Sequence, residues 1–168
     1  MKKVFSFILT LVVLSTVFIS ANYPVYATPS SVIQTYRNNI ITYATGAIGS
    51  PYTTDKDLRL GPDEYDCSGL AYRAYQHAGL AITSNSAADQ AKELTVSGRL
   101  SSYATRTKGD LIFYYLHPTP NNRYLNIDHV AICAGSGWII DAGNPGVTKR
   151  VDTTFSSSNV KATTVPSY

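Results

Sequence analysis

Residues 64–80 read EYDCSGLAYRAYQHAGL, and this stretch decides how the rest of the chain is interpreted. An acidic, turn-prone segment changes there into an amphipathic helix. Asp66 is placed to cap that helix, which is predicted to run from about Cys67 to Ala78, and Gly79 ends it. Its buried face is predicted to consist of Leu70, Ala71, Ala74 and Ala78. Cys67 therefore lies in the first turn, where unpaired backbone N–H groups and the helix dipole stabilise a thiolate.

Helices precede strands along the chain. Residues 28–48 have apolar side chains at helical spacing, with Thr28 or Ser30 as cap and Gly49-Ser50-Pro51 as the stop. The polar segment TTDKDLRLGPDEY, residues 53–65, is predicted to be a surface loop. A short third helix is expected around residues 87–94. Strands are predicted at 110–116, 128–134, 137–142, 147–153 and near 160–165. This order indicates an α+β domain with a mainly antiparallel sheet.

The first residues resemble an export signal. Lys2 and Lys3 precede an apolar run from Val4 to about Ile19, and cleavage is expected after Ala27, with Ala21 as the alternative. Residues 1–27 are then the signal and 28–168 a single domain of 141 residues. The two lysines leave with the signal and no Asp or Glu does, so the net charge falls from +3 to +1. That balance gives no reason to expect nucleic acid or an anionic membrane as partner.

A nucleophilic thiol needs a base, and the chain has three histidines. His77 lies about three turns along the same helix, and His117 lies in a Pro/Asn-rich loop. His129 opens a predicted strand whose hairpin turns at Gly135 to Gly137. Since His129 and Asp141 are equally far from Gly135, we expect them directly opposite each other, with Cβ atoms roughly 4.5–5.5 Å apart. Asp141 would then fix the orientation of the imidazole that faces Cys67.

Simpler interpretations stay open for these residues. Cys67 could be a small core residue or half of a disulfide with Cys133, the second cysteine of an exported chain. Along a strand, Cys133 lies about 13 Å from His129, whereas a disulfide needs Cα atoms within about 7 Å. Contact of Cys67 with His129 therefore argues against the disulfide, and we predict Cys133 to be a buried free thiol. No recognised metal-ligand spacing is present, so no metal is expected.

Five segments, taken in order, resemble the NlpC family of papain-like cell-wall cysteine peptidases. They are AIGSPY (47–52), YDCSGLAYRAY (65–75), KGDLIFYY (108–115), DHVAIC (128–133) and GWIIDAG (137–143). The resemblance covers about residues 32–151. It implies a papain-like fold, Cys67 as nucleophile, His129 as base and Asp141 as orienting residue. It further implies that Tyr52 lies near the oxyanion site, and that Asp66 and Ser68 help to bind the amino group of a stem peptide.

The expected protein is thus a secreted or cell-wall-associated bacterial cysteine peptidase that acts on peptidoglycan stem peptides. The resemblance favours the bond from γ-D-glutamate to a diamino acid, with no cofactor, no membrane anchor after signal cleavage, and a monomer. The chain departs from the family where residues 53–65 replace a Trp-Gly-Gly segment and where Asp141 replaces a neutral side chain or His. The loop HPTPNNRYLNI, residues 117–127, is expected to line or narrow the cleft. The alternatives are an amidase or acyltransferase with the same Cys-His pair, and a non-catalytic secreted binding domain.

Overall fold

The computed structural model describes residues 30–117, 119 and 121–155. The predicted signal, residues 1–27, and the predicted strand near 160–165 lie outside this part of the chain. Within it, no helix is both long enough and apolar enough to cross a membrane.

Within the described residues, three helices come first and four of the five predicted strands follow. The helices are α1 (Ser30–Gly46), α2 (Cys67–His77) and α3 (Ala87–Val96). The strands are β1 (Leu111–Tyr114), β2 (His129–Gly135), β3 (Trp138–Gly143) and β4 (Gly146–Val151). They form one antiparallel sheet in the order β1-β2-β3-β4. The predicted α+β class and the antiparallel sheet are confirmed.

Local signals set the ends of the helices. Asp66 caps α2 by accepting a hydrogen bond from the Gly69 N–H at 2.5 Å, and Gly79 follows the helix with a φ of 80°. A capping box, in which Ser86 and Asp89 bond each other's backbone N–H, begins α3. Both helices therefore begin where short polar side chains satisfy the first unpaired backbone donors.

The last strand is shorter than predicted. It ends at Val151, and Asp152–Thr154 form a 3-10 turn, whereas the sequence predicted a strand over residues 147–153. The buried Asp152 accepts hydrogen bonds from Tyr103 Oη at 3.0 Å and from Arg106. Since a buried carboxylate needs such partners, these contacts explain why the chain turns away from the sheet.

The sheet separates two apolar clusters. On the helix side, Ile40, Leu70 and Leu94 pack with inward residues of the strands, such as Phe113 and Ile132. On the other side, the smaller cluster consists of Ile112, Tyr114, Ala131, Cys133 and Ile139, partly covered by Tyr103, Leu116 and Phe155. Cys67 packs on the helix side and Cys133 belongs to the other cluster. Both thiols are free, as predicted for Cys133.

The loop between α1 and α2 is held against the start of α2. The Asp66 N–H donates to the Arg59 carbonyl at 3.2 Å, and the Thr53 N–H donates to the Tyr65 carbonyl at 3.0 Å. A Cβ atom on Gly69 would lie 1.8 Å from that same Arg59 oxygen. Gly69 thus lets the loop touch the helix, and this contact fixes Arg59 beside Cys67.

Candidate active site

Cys67 is the first residue of α2 and is partly exposed. Its position at the helix start gives it the positive end of the helix dipole and unpaired N–H groups. The other two residues of the predicted triad come from the two central strands of the sheet, because His129 opens β2 and Asp141 lies within β3. The site therefore forms where the first turn of α2 meets the beginning of β2.

His129 and Asp141 are hydrogen-bonded, with 2.9 Å between Nε2 and Oδ2. The sequence predicted that they lie directly opposite each other, and this prediction is wrong. Ile132 pairs with Ile140, and continuing this register puts Asp141 across from Ala131. The cause is the turn, in which Gly135, Ser136 and Gly137 all have positive φ and a register shift follows Cys133. The offset is two residues, so both side chains keep the same face and meet diagonally.

Arg150 also belongs to this group, although no sequence pattern predicted it. Its Nε lies 2.9 Å from Oδ1 of the buried Asp141, and it also donates to Thr148 Oγ1 at 3.1 Å. The Asp141 contact is an ion pair without hydrogen-bond alignment. Thr148 pairs with Asp141 across β3 and β4, so Arg150, two residues further on, shares its face. A buried carboxylate needs a counter-charge, and that need was the signal available in the sequence.

The pKa of His129 depends on both Asp141 and Cys67. Burial alone would lower the pKa of His129, but hydrogen bonds and charges from Asp141 and Cys67 raise it to about 10. Since the Nε2–H group donates to the Asp141 carboxylate, Nδ1 is the ring nitrogen left for Cys67. Burial, followed by the nearby charges of Cys67 and Asp66, raises the pKa of Tyr52. Tyr52 and Cys67 line the same cleft, and the role of Tyr52 at the oxyanion site stays a prediction.

Asp66 and Ser68 also lie beside Cys67, but their polar atoms are occupied. One nitrogen of Arg59 lies 3.1 Å from each Asp66 carboxylate oxygen and 3.2 Å from Ser68 Oγ. The Ser68 hydroxyl itself donates to Asp66 at 3.0 Å. No sequence pattern indicated Arg59, because it lies in a loop without periodicity.

A cleft of about 300 Å³ opens beside Cys67. Its wall includes three cations and two carboxylates, which are Lys56, Arg59, Arg123, Asp66 and Asp128. Arg123 belongs to the loop of residues 117–127, so this loop lines the cleft as expected.

The two other histidines lie outside the Cys67 group. His117 is exposed and pairs with Asp128, and the exposed His77 stacks near Tyr43, with ring centroids 5.3 Å apart. Across residues 30–117, 119 and 121–155, no three His, Cys, Asp or Glu side chains are grouped as metal ligands.

Comparison with known proteins identifies the class. The NlpC/P60 family matches residues 49–165, and the chain belongs to this family. It is 33% identical over 100 residues to the probable endopeptidase p60 of Listeria grayi, covering 60% of this chain and 17% of that protein. It is 33% identical over 105 residues to a probable endopeptidase of Corynebacterium glutamicum, covering 62% of this chain and 42% of that protein. The chain thus spans less than half the length of either relative.

Solved structures confirm the papain-like fold. The peptidoglycan hydrolase RipB of Mycobacterium tuberculosis is 22% identical and superposes with a TM-score of 0.62, covering 82% of this chain and 68% of that one. NlpC2 of Trichomonas vaginalis is 20% identical with a TM-score of 0.63, covering 80% of this chain and 47% of that one.

Proposed function

We propose that this domain is a secreted cysteine peptidase that cleaves peptidoglycan stem peptides. The observation that carries the proposal is the position of His129, which is hydrogen-bonded to Asp141 and has its pKa raised by Cys67, a cysteine at a helix N-terminus. A base between a thiol and an orienting carboxylate is the arrangement that nucleophilic catalysis requires. Family membership and the names of the relatives support a cell-wall substrate.

The first half of the reaction transfers the acyl group to the enzyme. The Cys67 thiolate attacks the amide carbonyl carbon, and the C–N bond breaks as protonated His129 gives its Nδ1 proton to the leaving amine. The Cys67 backbone N–H and Tyr52 are the proposed donors to the developing oxyanion. Asp141 holds the His129 ring in place while the ring changes from charged to neutral.

The second half returns the enzyme to its starting state. Neutral His129 takes a proton from a water molecule, whose oxygen attacks the thioester carbonyl. The C–S bond then breaks, and the acyl group leaves as a carboxylic acid that loses its proton to solvent, while the Cys67 thiolate and His129 again share one proton. No cofactor is needed, since hydrolysis consumes only water. The proposed bond joins γ-D-glutamate to the diamino acid.

Digestion of purified peptidoglycan tests this proposal, with products read by mass spectrometry. The domain without residues 1–27 should produce new amino termini on the diamino acid, and Cys67→Ala should produce none. Cys133→Ala is the matched control, because it removes the other thiol from a cluster that does not include Cys67 and should retain cleavage. Fragments cut at another amide would favour an amidase or acyltransferase. No cleavage of several wall types, by protein with a free Cys67 thiol, would favour a binding domain.

A further inference from the structure

The side chains that line the cleft beside Cys67 disfavour binding of a positively charged substrate group. Asp66 is the carboxylate nearest the nucleophile in sequence, and a bare carboxylate there would attract a substrate ammonium group. Its two oxygens instead accept hydrogen bonds from the Gly69 N–H, the Ser68 hydroxyl and Arg59. The Arg59 and Asp66 side chains are only 17% and 20% exposed, so solvent screens this ion pair weakly.

Arg59 is itself held in place by several contacts. Its second guanidinium nitrogen donates to the Ser84 carbonyl, and its own carbonyl accepts from the Asp66 N–H at 3.2 Å. The missing Cβ of Gly69 allows this approach. Arg59 is therefore a fixed part of the wall, and a substrate group would have to displace it to reach Asp66.

The other charged side chains of the cleft also disfavour a substrate ammonium group. Asp128 is occupied by the N–H groups of Leu116 and His117 and by the His117 ring. Among the described residues, neither Lys56 nor Arg123 has an ion-pair partner, and both face the cleft. The cleft therefore presents unpaired cations and no unpaired carboxylate.

We propose that Arg59 makes the site select stem peptides whose amino end is acylated over those whose amino end is a free ammonium. An acylated end is neutral, whereas an ammonium would meet the Arg59 guanidinium in front of Asp66 and no free carboxylate. A stem peptide joined to the glycan strand has such an amide. This selectivity rests on the proposed function, because it concerns the same cleft and substrate class.

The test compares two synthetic stem peptides that differ only by acetylation of the amino terminus. The wild-type ratio of kcat/KM should favour the acetylated peptide by about tenfold. Arg59→Met keeps side-chain length but frees Asp66, and should move the ratio about tenfold towards the free amine. Arg123→Met is the matched control, since it removes the same charge from the same cleft but leaves Asp66 paired. It should move the ratio by less than about threefold.

A second pair of variants separates recognition from misfolding. Arg59→Lys retains the cation and should keep the wild-type preference. In the double variant Arg59→Met with Asp66→Asn, the gain for the free amine should disappear, because no carboxylate remains to bind it. A gain that persists in the double variant, or an Arg123→Met effect as large as that of Arg59→Met, would overturn the proposal. So would a wild-type enzyme that prefers the free amine or does not discriminate.

Binding to the Cys67→Ala variant by calorimetry keeps this inference distinct from the proposed reaction. Tighter binding of the acetylated peptide, together with no turnover by the wild type, would overturn the peptidase function but support the selectivity. Turnover of both peptides at equal rates would support the peptidase function and overturn the selectivity. No binding of either peptide would overturn both.

Discussion

Two histidine–aspartate pairs lie near Cys67 in the described part of the chain, and they differ in their burial and in the groups that they contact. His129 and Asp141 have side chains that are 12% and 1% exposed, whereas those of His117 and Asp128 are 76% and 8% exposed. The buried pair interacts electrostatically with Cys67 and Arg150. The carboxylate of the exposed pair serves mainly the loop backbone, through the N–H groups of Leu116 and His117.

The difference shows that the effect of a hydrogen-bonded carboxylate on a histidine depends on how deeply the pair is buried. Burial strengthens the interaction of the His129 ring with its charged neighbours, and the pKa of His129 is raised to about 10. His117 has the same kind of partner, but most of its ring is in water. The functional distinction therefore lies in the surroundings of the pair and in the thiol at its far side.

Removal of each histidine should separate the two pairs most strongly. His129→Ala should lower kcat/KM on peptidoglycan fragments by about 10³-fold, because the proton donor to the leaving amine is lost. His117→Ala should stay within about twofold of the wild type, as expected for an exposed side chain. Turbidity loss of purified walls and product quantification would measure both. An equal loss in the two variants would contradict the distinction.

Asp141→Asn should have the next largest effect, since it keeps the shape of the partner but removes its charge. We expect kcat/KM to fall about tenfold, because a charge-assisted hydrogen bond becomes a neutral one. The active pair needs protonated His129, so wild-type activity should fall as pH rises through about 10. Without the carboxylate charge the pKa of His129 decreases, and this alkaline limb should move to lower pH. The limb belongs to the coupled Cys67–His129 pair.

The same pKa gives a prediction for stability, with the sign set by its direction. A raised pKa means that protonated His129 stabilises the fold fully below its unfolded pKa of about 6.5. That contribution is lost as pH rises towards about 10. Thermal unfolding between pH 6 and 10 should therefore show a smaller alkaline decline for Asp141→Asn than for the wild type. An identical decline would mean that Asp141 does not set this pKa.

Local rules in the sequence account for most of the fold and part of the site. The cap at Asp66, the stop at Gly79 and the apolar face of α2 depend on residues within one helix, and all were predicted. The shared face of His129 and Asp141 follows from strand alternation, which a two-residue offset does not change. The sequence could not give the offset itself, because it depends on three positive φ angles in the turn.

The missed residues depend on contacts between distant parts of the chain. Arg150 reaches Asp141 only through the register of β4 on β3, and no spacing within either strand reports that pairing. Arg59 reaches Asp66 because its loop folds back onto Gly69. Both arginines satisfy carboxylates near Cys67, so the charge balance of the site could not be predicted from the catalytic residue types alone.

Arg150→Met tests whether the third group matters to the buried pair. Arg150 is partly exposed, so we expect kcat/KM to fall only about threefold, with partial recovery in Arg150→Lys. Loss of this cation leaves the charge of Asp141 without a counter-charge, so the pKa of His129 should rise. The alkaline limb should then move to higher pH. That direction is opposite to the one expected for Asp141→Asn. A shift to lower pH would show that Arg150 acts by orienting Asp141 rather than through its charge.

Asp128→Asn should have the smallest effect on activity, although it is the same substitution as Asp141→Asn. Asp128 accepts from the Leu116 N–H at 2.9 Å and from the His117 N–H at 3.2 Å, and an amide retains only one acceptor oxygen. One backbone donor loses its partner at a place that water can reach, so the free energy of unfolding should fall by about 1 kcal/mol. Denaturant unfolding measures this change, and kcat/KM measured below the unfolding transition should stay within about twofold of the wild type. A large loss of activity at unchanged stability would mean that the exposed pair takes part in the reaction, and the contrast between the two pairs would then be one of degree.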